Sequence, residues 1–183
     1  MTLFAVLGAV IERGGDYRAV FDVFEADGWR ERMDEVESRF GGFAAEDLYP
    51  DALRALAALR AAGYRIAVVA NQPSRREAVL RRIGVDVEVM AMSEDIGVVK
   101  PDPAFYARTL ELLGSPRPEA VAYVGDRVDN DVLPSLAAGM RAVWLRRGPW
   151  GRIGSMPAAT EPALVVDSLD ELAERIGEAW PPE

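Results

Sequence analysis

The chain of 183 residues is expected to fold as an α/β domain, a central parallel sheet with helices on both faces. Three observations carry that expectation. From about residue 50 onward, short apolar runs of strand length alternate with amphipathic helical stretches, the signature of βα units packed in layers. Gly and Pro punctuate those units where turns belong, as at Gly63, Pro73, Pro101 and Gly139. Three carboxylates, Asp126, Asp129 and Asp131, gather just past the apolar run Val121–Val124 and Gly125. In open α/β sheets ligands bind beyond the carboxyl ends of strands.

Taken in order, Leu3 to Ile11 is a continuous apolar run and reads as a central strand. Glu12 to Gly15 is a turn. From Asp16 a helical pattern places Tyr17, Val20, Phe21 and Phe24 on one face, and Trp29 to Phe40 is a charged helix closed by Gly41 and Gly42. Residues 12–49 thus form a small helical insertion within a single domain spanning 1–183. Asp51 to Ala62 is an amphipathic helix with Leu53, Leu56 and Leu59 inward and Gly63 as its stop. Tyr64 to Ala70 is the next strand, and Ser74 is placed to cap a helix from Arg75 to Ile83. Val85 to Met92 is a strand, Ser93 to Pro103 a loop carrying Lys100, and Ala104 to Leu113 a helix. The strand Ala120 to Val124 leads past the carboxylates into a helix from Val128 to Ala138, interrupted or begun near Pro134. Arg141 to Leu145 is a strand, Arg147 to Pro162 a Gly- and Pro-rich loop, Ala163 to Val166 a short strand and Ser168 to Glu178 the closing helix. Pro181 to Glu183 is expected to fray.

Composition narrows the function. Thirty acidic against 21 basic residues give a net charge of −9, which repels nucleic acid and anionic membrane. A small phosphorylated metabolite or a protein is the expected partner. With no cysteine, disulfides, thiolate metal sites and cysteine nucleophiles are excluded. With no histidine, acid–base chemistry falls to carboxylates, lysine or tyrosine. No basic leader, cleavage site or membrane-length apolar run is seen, so a cytoplasmic location is expected.

The residues that point to chemistry are Val99-Lys100-Pro101-Asp102-Pro103 and Gly125-Asp126 followed by Asp131. Carboxylates at a strand-end turn suit a hard cation such as Mg²⁺, which keeps several waters and takes substrate phosphate as a further ligand. The plainer reading is an acidic cap on the following helix. Together the two segments resemble the third and fourth motifs of the haloacid dehalogenase (HAD) superfamily, mostly phosphohydrolases. The resemblance runs from about Leu48 to Arg147 and includes Leu48-Tyr49-Pro50, the run from Gly63 to Asn71, and Ala138-Gly139-Met140-Arg141-Ala142-Val143-Trp144-Leu145.

That resemblance implies a HAD-type Rossmann-like three-layer sandwich with a much reduced helical cap over residues 12–49. It also implies a catalytic set. An aspartate nucleophile should end the first strand, with an acid–base aspartate two residues on. A Ser or Thr should end the second strand, a lysine should steady the phosphoryl group, and a final acidic pair should hold Mg²⁺. Laid on that pattern without a gap, Ala5 and Leu7 stand where the aspartates belong; a deletion after Leu7 is the other alignment. Ala70 takes the hydroxyl position. Lys100, Asp126 and Asp131 remain, with Lys100 expected to pair with one of the two acids and Mg²⁺ to bind weakly. Asn71 and Gln72 can donate hydrogen bonds to a phosphate, against the simpler reading that they begin a helix.

The expected function is therefore a phosphatase-like protein without its nucleophile, acting as a binding or regulatory module. A second reading keeps Mg²⁺-dependent hydrolysis, with Asp16, Asp22 or an activated water replacing the nucleophile. A third is a homodimeric scaffold.

Overall fold

The structure is a computed structural model and describes residues 3–15, 19–24, 28, 29, 32, 35 and 43–180. Its first element corrects an expectation. Leu3 to Ile11 is not a strand but most of helix α1 (Leu3–Glu12). A run of apolar and small residues has no period that separates a buried strand from a buried helix. Burial shows which it is: Ala5 and Ala9 are exposed one helical turn apart, while Val6 and Ile11 are buried. Of the expected insertion over residues 12–49, residues 16–18, 25–27, 30, 31, 33, 34 and 36–42 lie outside the described residues. Within it stand α2 (Val20–Val23) and a 3-10 turn at Ala45–Asp47.

From Asp51 the expected βα alternation is present. Helix α3 (Ala52–Ala61) leads to β1 (Ala67–Ala70), α4 (Arg75–Arg82) to β2 (Val89–Met92), and the short α5 (Ser93–Ile96) and then α6 (Pro103–Leu112) to β3 (Ala122–Gly125). A π-helical turn at Val128–Val132 continues into α7 (Leu133–Ala137), followed by β4 (Arg141–Leu145), α8 (Gly148–Ile153), β5 (Leu164–Val166) and α9 (Leu169–Ala179). Pro134 is the second residue of α7, just past the π-helical turn.

Several local expectations change. The segment Arg147 to Pro162 is not all loop: Pro149 starts helix α8 there. Ser93 to Ile96 is likewise helical within an expected loop. Residues before Val89 are not strand, because Val85 N donates to Leu80 O and wraps the end of α4. Ser74 does not cap α4. Its backbone is helical, its hydroxyl donates to Asp95 Oδ1 at 2.5 Å, and its N–H donates to Glu94 Oε2 at 2.6 Å. In α3 the buried residues are Ala55 and Leu59, while Leu53 lies exposed.

The sheet is divided. β1 pairs in parallel with β2, Ala67 opposite Val89 through Ala70 opposite Met92. β3, β4 and β5 form a separate parallel sheet in that order, with Tyr123 opposite Ala142 and Val143 opposite Leu164. Helices bridge the two sheets on both faces. On one face Leu56 of α3 packs with the cluster of Val85, Val87, Met90 and Met92, and Leu59, one turn on, packs with Val143, Val166, Leu172 and Ile176. On the other, Phe105 and Tyr106 of α6 pack against both Val69 of β1 and Tyr123 of β3. Between the sheets runs a cavity of about 1210 Å³, lined by Ala67–Val69 and Ala122–Gly125 and opening at Lys100, Asp126 and Asp131.

Candidate functional site

The site lies where the carboxyl ends of β1 and β3 converge. Asn71, the first residue past β1, holds the Lys100 backbone at both atoms: its Nδ2 donates to Lys100 O at 3.0 Å and its Oδ1 accepts from Lys100 N at 2.8 Å. Lys100 is thereby fixed, and its ammonium donates to Asp131 Oδ1 at 2.6 Å, with the lysine side chain 13% and the aspartate side chain 5% exposed. The rings of Phe105 and Tyr123 lie 5.9 and 5.8 Å from Nζ, an aromatic bed that favours a cation there. The other Asp131 oxygen accepts from Arg127 N at 3.0 Å. Of the two partners expected for Lys100, the structure selects Asp131.

Gly125 is what allows this approach. A Cβ at that position would stand 2.4 Å from Asp131 Cβ and Cγ, where no real Cβ is found. Asp131 is held at both oxygens and cannot retreat freely. Gly125→Ala is expected to cost about 1–3 kcal/mol, as overpacking of a tight interior does, and to pull Asp131 off Lys100. Thermal unfolding beside the wild type checks it; an unchanged midpoint would show that the π-helical turn yields without strain.

Asp126 differs from its neighbour. Burial pushes its carboxyl above the ordinary range, and the negative charge of Asp131 pushes the same way, only partly offset by Lys100 and Arg127. Its backbone carbonyl accepts from Trp144 Nε1 at 3.3 Å. Gly148, with φ of +70° and no Cβ, lies beside its Oδ2 and the Tyr49 hydroxyl. Asp129, the third acid of the cluster, is turned away. Arg127 Nη2 donates to it at 2.6 Å and to Gly14 O at 2.8 Å, which ties the end of α1 to the rim of the site.

The other expected site residues fall as follows. Ala70 ends β1, the strand end at which the hydroxyl residue was expected. Ala5 and Leu7 lie on α1 and not at a strand end. Gln72 is engaged locally, its Oε1 accepting from Arg76 Nε at 3.3 Å. Asp22 sits on α2 and accepts from Trp29 Nε1 at 2.9 Å, while Asp16 lies outside the described residues.

Tyr49, Asp51 and Arg147 escaped sequence reasoning as a unit. Arg147 Nη1 reaches both oxygens of Asp51 at 2.7 and 2.8 Å, its guanidinium lies 3.9 Å from the Tyr49 ring centroid, and both Tyr49 and Arg147 line the cavity. An acid before a helix and an arginine after a strand are too ordinary, and too far apart in sequence, to announce a pair.

Comparison with known proteins gives the lineage. The profile of the haloacid dehalogenase-like hydrolase family matches residues 6–139. The chain belongs to that family. It is 32% identical over 139 residues to glyceraldehyde 3-phosphate phosphatase of Methanopyrus kandleri, covering 74% of this chain and 59% of that protein. It is 34% identical over 128 residues to phosphoserine phosphatase of Thermus thermophilus, covering 68% and 51%. The chain thus spans only about half to three-fifths of these HAD relatives. A HAD phosphatase structure from Thermococcus onnurineus superposes with a TM-score of 0.64 at 23% identity over 96% of this chain and 90% of the other, a likeness of fold. A 2-haloacid dehalogenase structure from Pseudomonas syringae gives 0.60 at 25% identity over 72% and 54%.

Proposed function

We propose that this chain recognises phosphorylated small molecules through Lys100, Asp126 and a bound Mg²⁺, and that the described residues bind such a ligand without hydrolysing it. One observation carries the reading: a phosphatase-type lysine and two carboxylates converge beyond β1 and β3, yet no strand among the described residues runs between those two to present an attacking side chain.

The donor set fits Mg²⁺. Among the described residues no three acids come together into a protein cage, and Mg²⁺ is ordinarily held by one or two carboxylates, with waters and substrate phosphate as the other ligands. Asp126, buried beside Asp131 with its charge incompletely compensated, is where a cation relieves the most repulsion. The ion would screen phosphate from both carboxylates and share its charge. Lys100 would donate hydrogen bonds to a phosphate oxygen from the protons that Asp131 leaves free. Asn71 would keep Lys100 in place and so is a positioning residue.

The test is Asp126→Asn. Trp144, bonded to the Asp126 carbonyl, provides an intrinsic fluorescence signal. Mg²⁺ titration with inorganic phosphate or an aryl phosphate is expected to change that signal in the wild type and not in the variant. The variant is also expected to be more stable at neutral pH by about 1 kcal/mol, a trade commonly seen when a functional charge is neutralised. The sign follows from the raised carboxyl: holding Asp126 ionised costs the folded state stability above its ordinary value of 3.8, so the variant's advantage grows as pH rises from there and vanishes below it. Mg²⁺-dependent phosphate release by the wild type, absent in Asp126→Asn, would overturn the binding-only reading.

A further inference from the structure

Tyr49 is half exposed, yet its position is fixed. Its carbonyl accepts from Ala52 N at 2.9 Å as α3 begins. Pro50, next in the chain, confines the residue before it to extended backbone, and Pro50 O accepts from Arg54 Nη1 at 2.7 Å. One face of the Tyr49 ring lies on the Arg147 guanidinium, 3.9 Å from the centroid. That guanidinium is itself anchored, because both Asp51 oxygens accept from its Nη1. Such fixing is what a ligand contact requires, since the side chain is ordered before the ligand arrives.

The hydroxyl is the part left unengaged. Among the described residues it makes no hydrogen bond, and it stands beside the candidate site. A Cβ at Gly148 would lie 3.4 Å from Tyr49 Oη and 3.5 Å from Asp126 Oδ2. The phenol and the carboxylate therefore border one small space, which Gly148 keeps open and any other residue would enter with its Cβ. Tyr49, Lys100, Asp126 and Asp131 line the same cavity. The cations around this mouth are already committed: Lys100 is paired with Asp131, Arg127 with Asp129 and Arg147 with Asp51. An anion arriving at Asp126 thus depends on a metal and on donors that no carboxylate holds. Tyr49 brings one O–H with no competing acceptor.

We propose that Tyr49 is a ligand-binding residue of this site: its hydroxyl donates to an oxygen of the phosphate held at Asp126 through Mg²⁺, and Arg147 and Asp51 are positioning residues that hold the ring for it. This assignment rests on the phosphate-binding reading above. Donation to the Asp126 carboxylate is the competing role, in which Tyr49 supports a metal ligand and touches no phosphate. The two roles separate because only the second alters Mg²⁺ binding in the absence of phosphate.

The test is Tyr49→Phe, which removes the oxygen and keeps the ring on Arg147. The whole chain is titrated calorimetrically with Mg²⁺ alone, then with inorganic phosphate at saturating Mg²⁺. Tyr49→Phe is expected to leave the Mg²⁺ titration and the unfolding midpoint as in wild type. Phosphate is expected to bind about tenfold more weakly, the loss of one hydrogen bond to a charged acceptor. Tyr64→Phe is the control: its hydroxyl belongs to a tyrosine lining the same cavity but donates to Trp180 O, so phosphate affinity is expected to stay unchanged. Equal phosphate affinity in wild type and Tyr49→Phe would overturn the proposal and leave the phosphate-binding reading intact. Weaker Mg²⁺ binding by Tyr49→Phe without phosphate would overturn it in favour of the supporting role. An equal loss in Tyr64→Phe would also overturn it, since the effect would then come from the fold. Wild type that binds no phosphate with Mg²⁺ present would remove the reading and this assignment with it.

Discussion

Replacing Asp131 with alanine is expected to lower stability by about 3 kcal/mol, the low end of what breaking one side of a buried ion pair costs. The pair meets the condition for a large effect, with both side chains largely withdrawn from water and the contact at 2.6 Å. Alanine leaves the Lys100 ammonium without its carboxylate and the Arg127 N–H without its acceptor. Nearby Asp126 already feels the charge of Lys100 and offsets part of the loss. For a chain of this size the change amounts to a fall of about 6–12 °C in midpoint. The pairing of charge with charge is the cause, so the double variant Lys100→Met with Asp131→Leu is expected to recover most of the loss, as apolar replacement of buried pairs often does. Urea unfolding of Lys100→Met, Asp131→Leu and the double of the two makes the cycle. If Asp131→Ala is no less stable than wild type, the lysine has an alternative partner of equal worth and Asp131 is not what holds the site closed.

Much of the fold could be read from the sequence because the second half of the chain carries consistent signals. β4 occupies the residues expected for it, Arg141–Leu145, where β-branched and aromatic residues are bounded by Gly139 and a basic turn. Lys100, Asp126 and Asp131 were singled out because their two segments read together resemble the third and fourth HAD motifs, whereas each alone reads as a surface lysine or an acidic helix cap. The first element was misjudged for a physical reason: Leu3 to Ile11 lacks polar residues to phase it, and only packing against α8 decides between a strand and helix α1. The helix in Gly148–Ile153 was hidden by Gly and Pro, which read as loop but also begin helices. That β1 and β3 stand in separate sheets among the described residues could not be read from the sequence, because the apolar pattern of a strand does not show which neighbours it pairs with.

The clamp at the rim makes the last prediction. Asp51→Ala is expected to cost about 3–5 kcal/mol, the range for stranding a buried partner, because this carboxylate joins three elements. It accepts from Arg147 just past β4 and from Leu169 N, the first residue of α9, at 2.7 Å, and it stands at the head of α3. Asp51 is 6% exposed, so burial pushes its carboxyl upward. The Leu169 amide and the bonds and charge of Arg147 outweigh that and hold it below its ordinary 3.8. A lowered carboxyl stabilises the fold fully above its unfolded value and loses that contribution as pH falls through the folded value beneath it. Wild type is therefore expected to lose stability below about pH 3.8 more steeply than Asp51→Ala, and the two curves are expected to converge in strong acid. Asp51→Asn separates shape from charge: it keeps an acceptor for Leu169 N but not the ion pair, and is expected to fall between the two at neutral pH. Parallel curves for wild type and Asp51→Ala across that acid range would show that the clamp acts through packing of Tyr49 and Arg147 and not through ionisation.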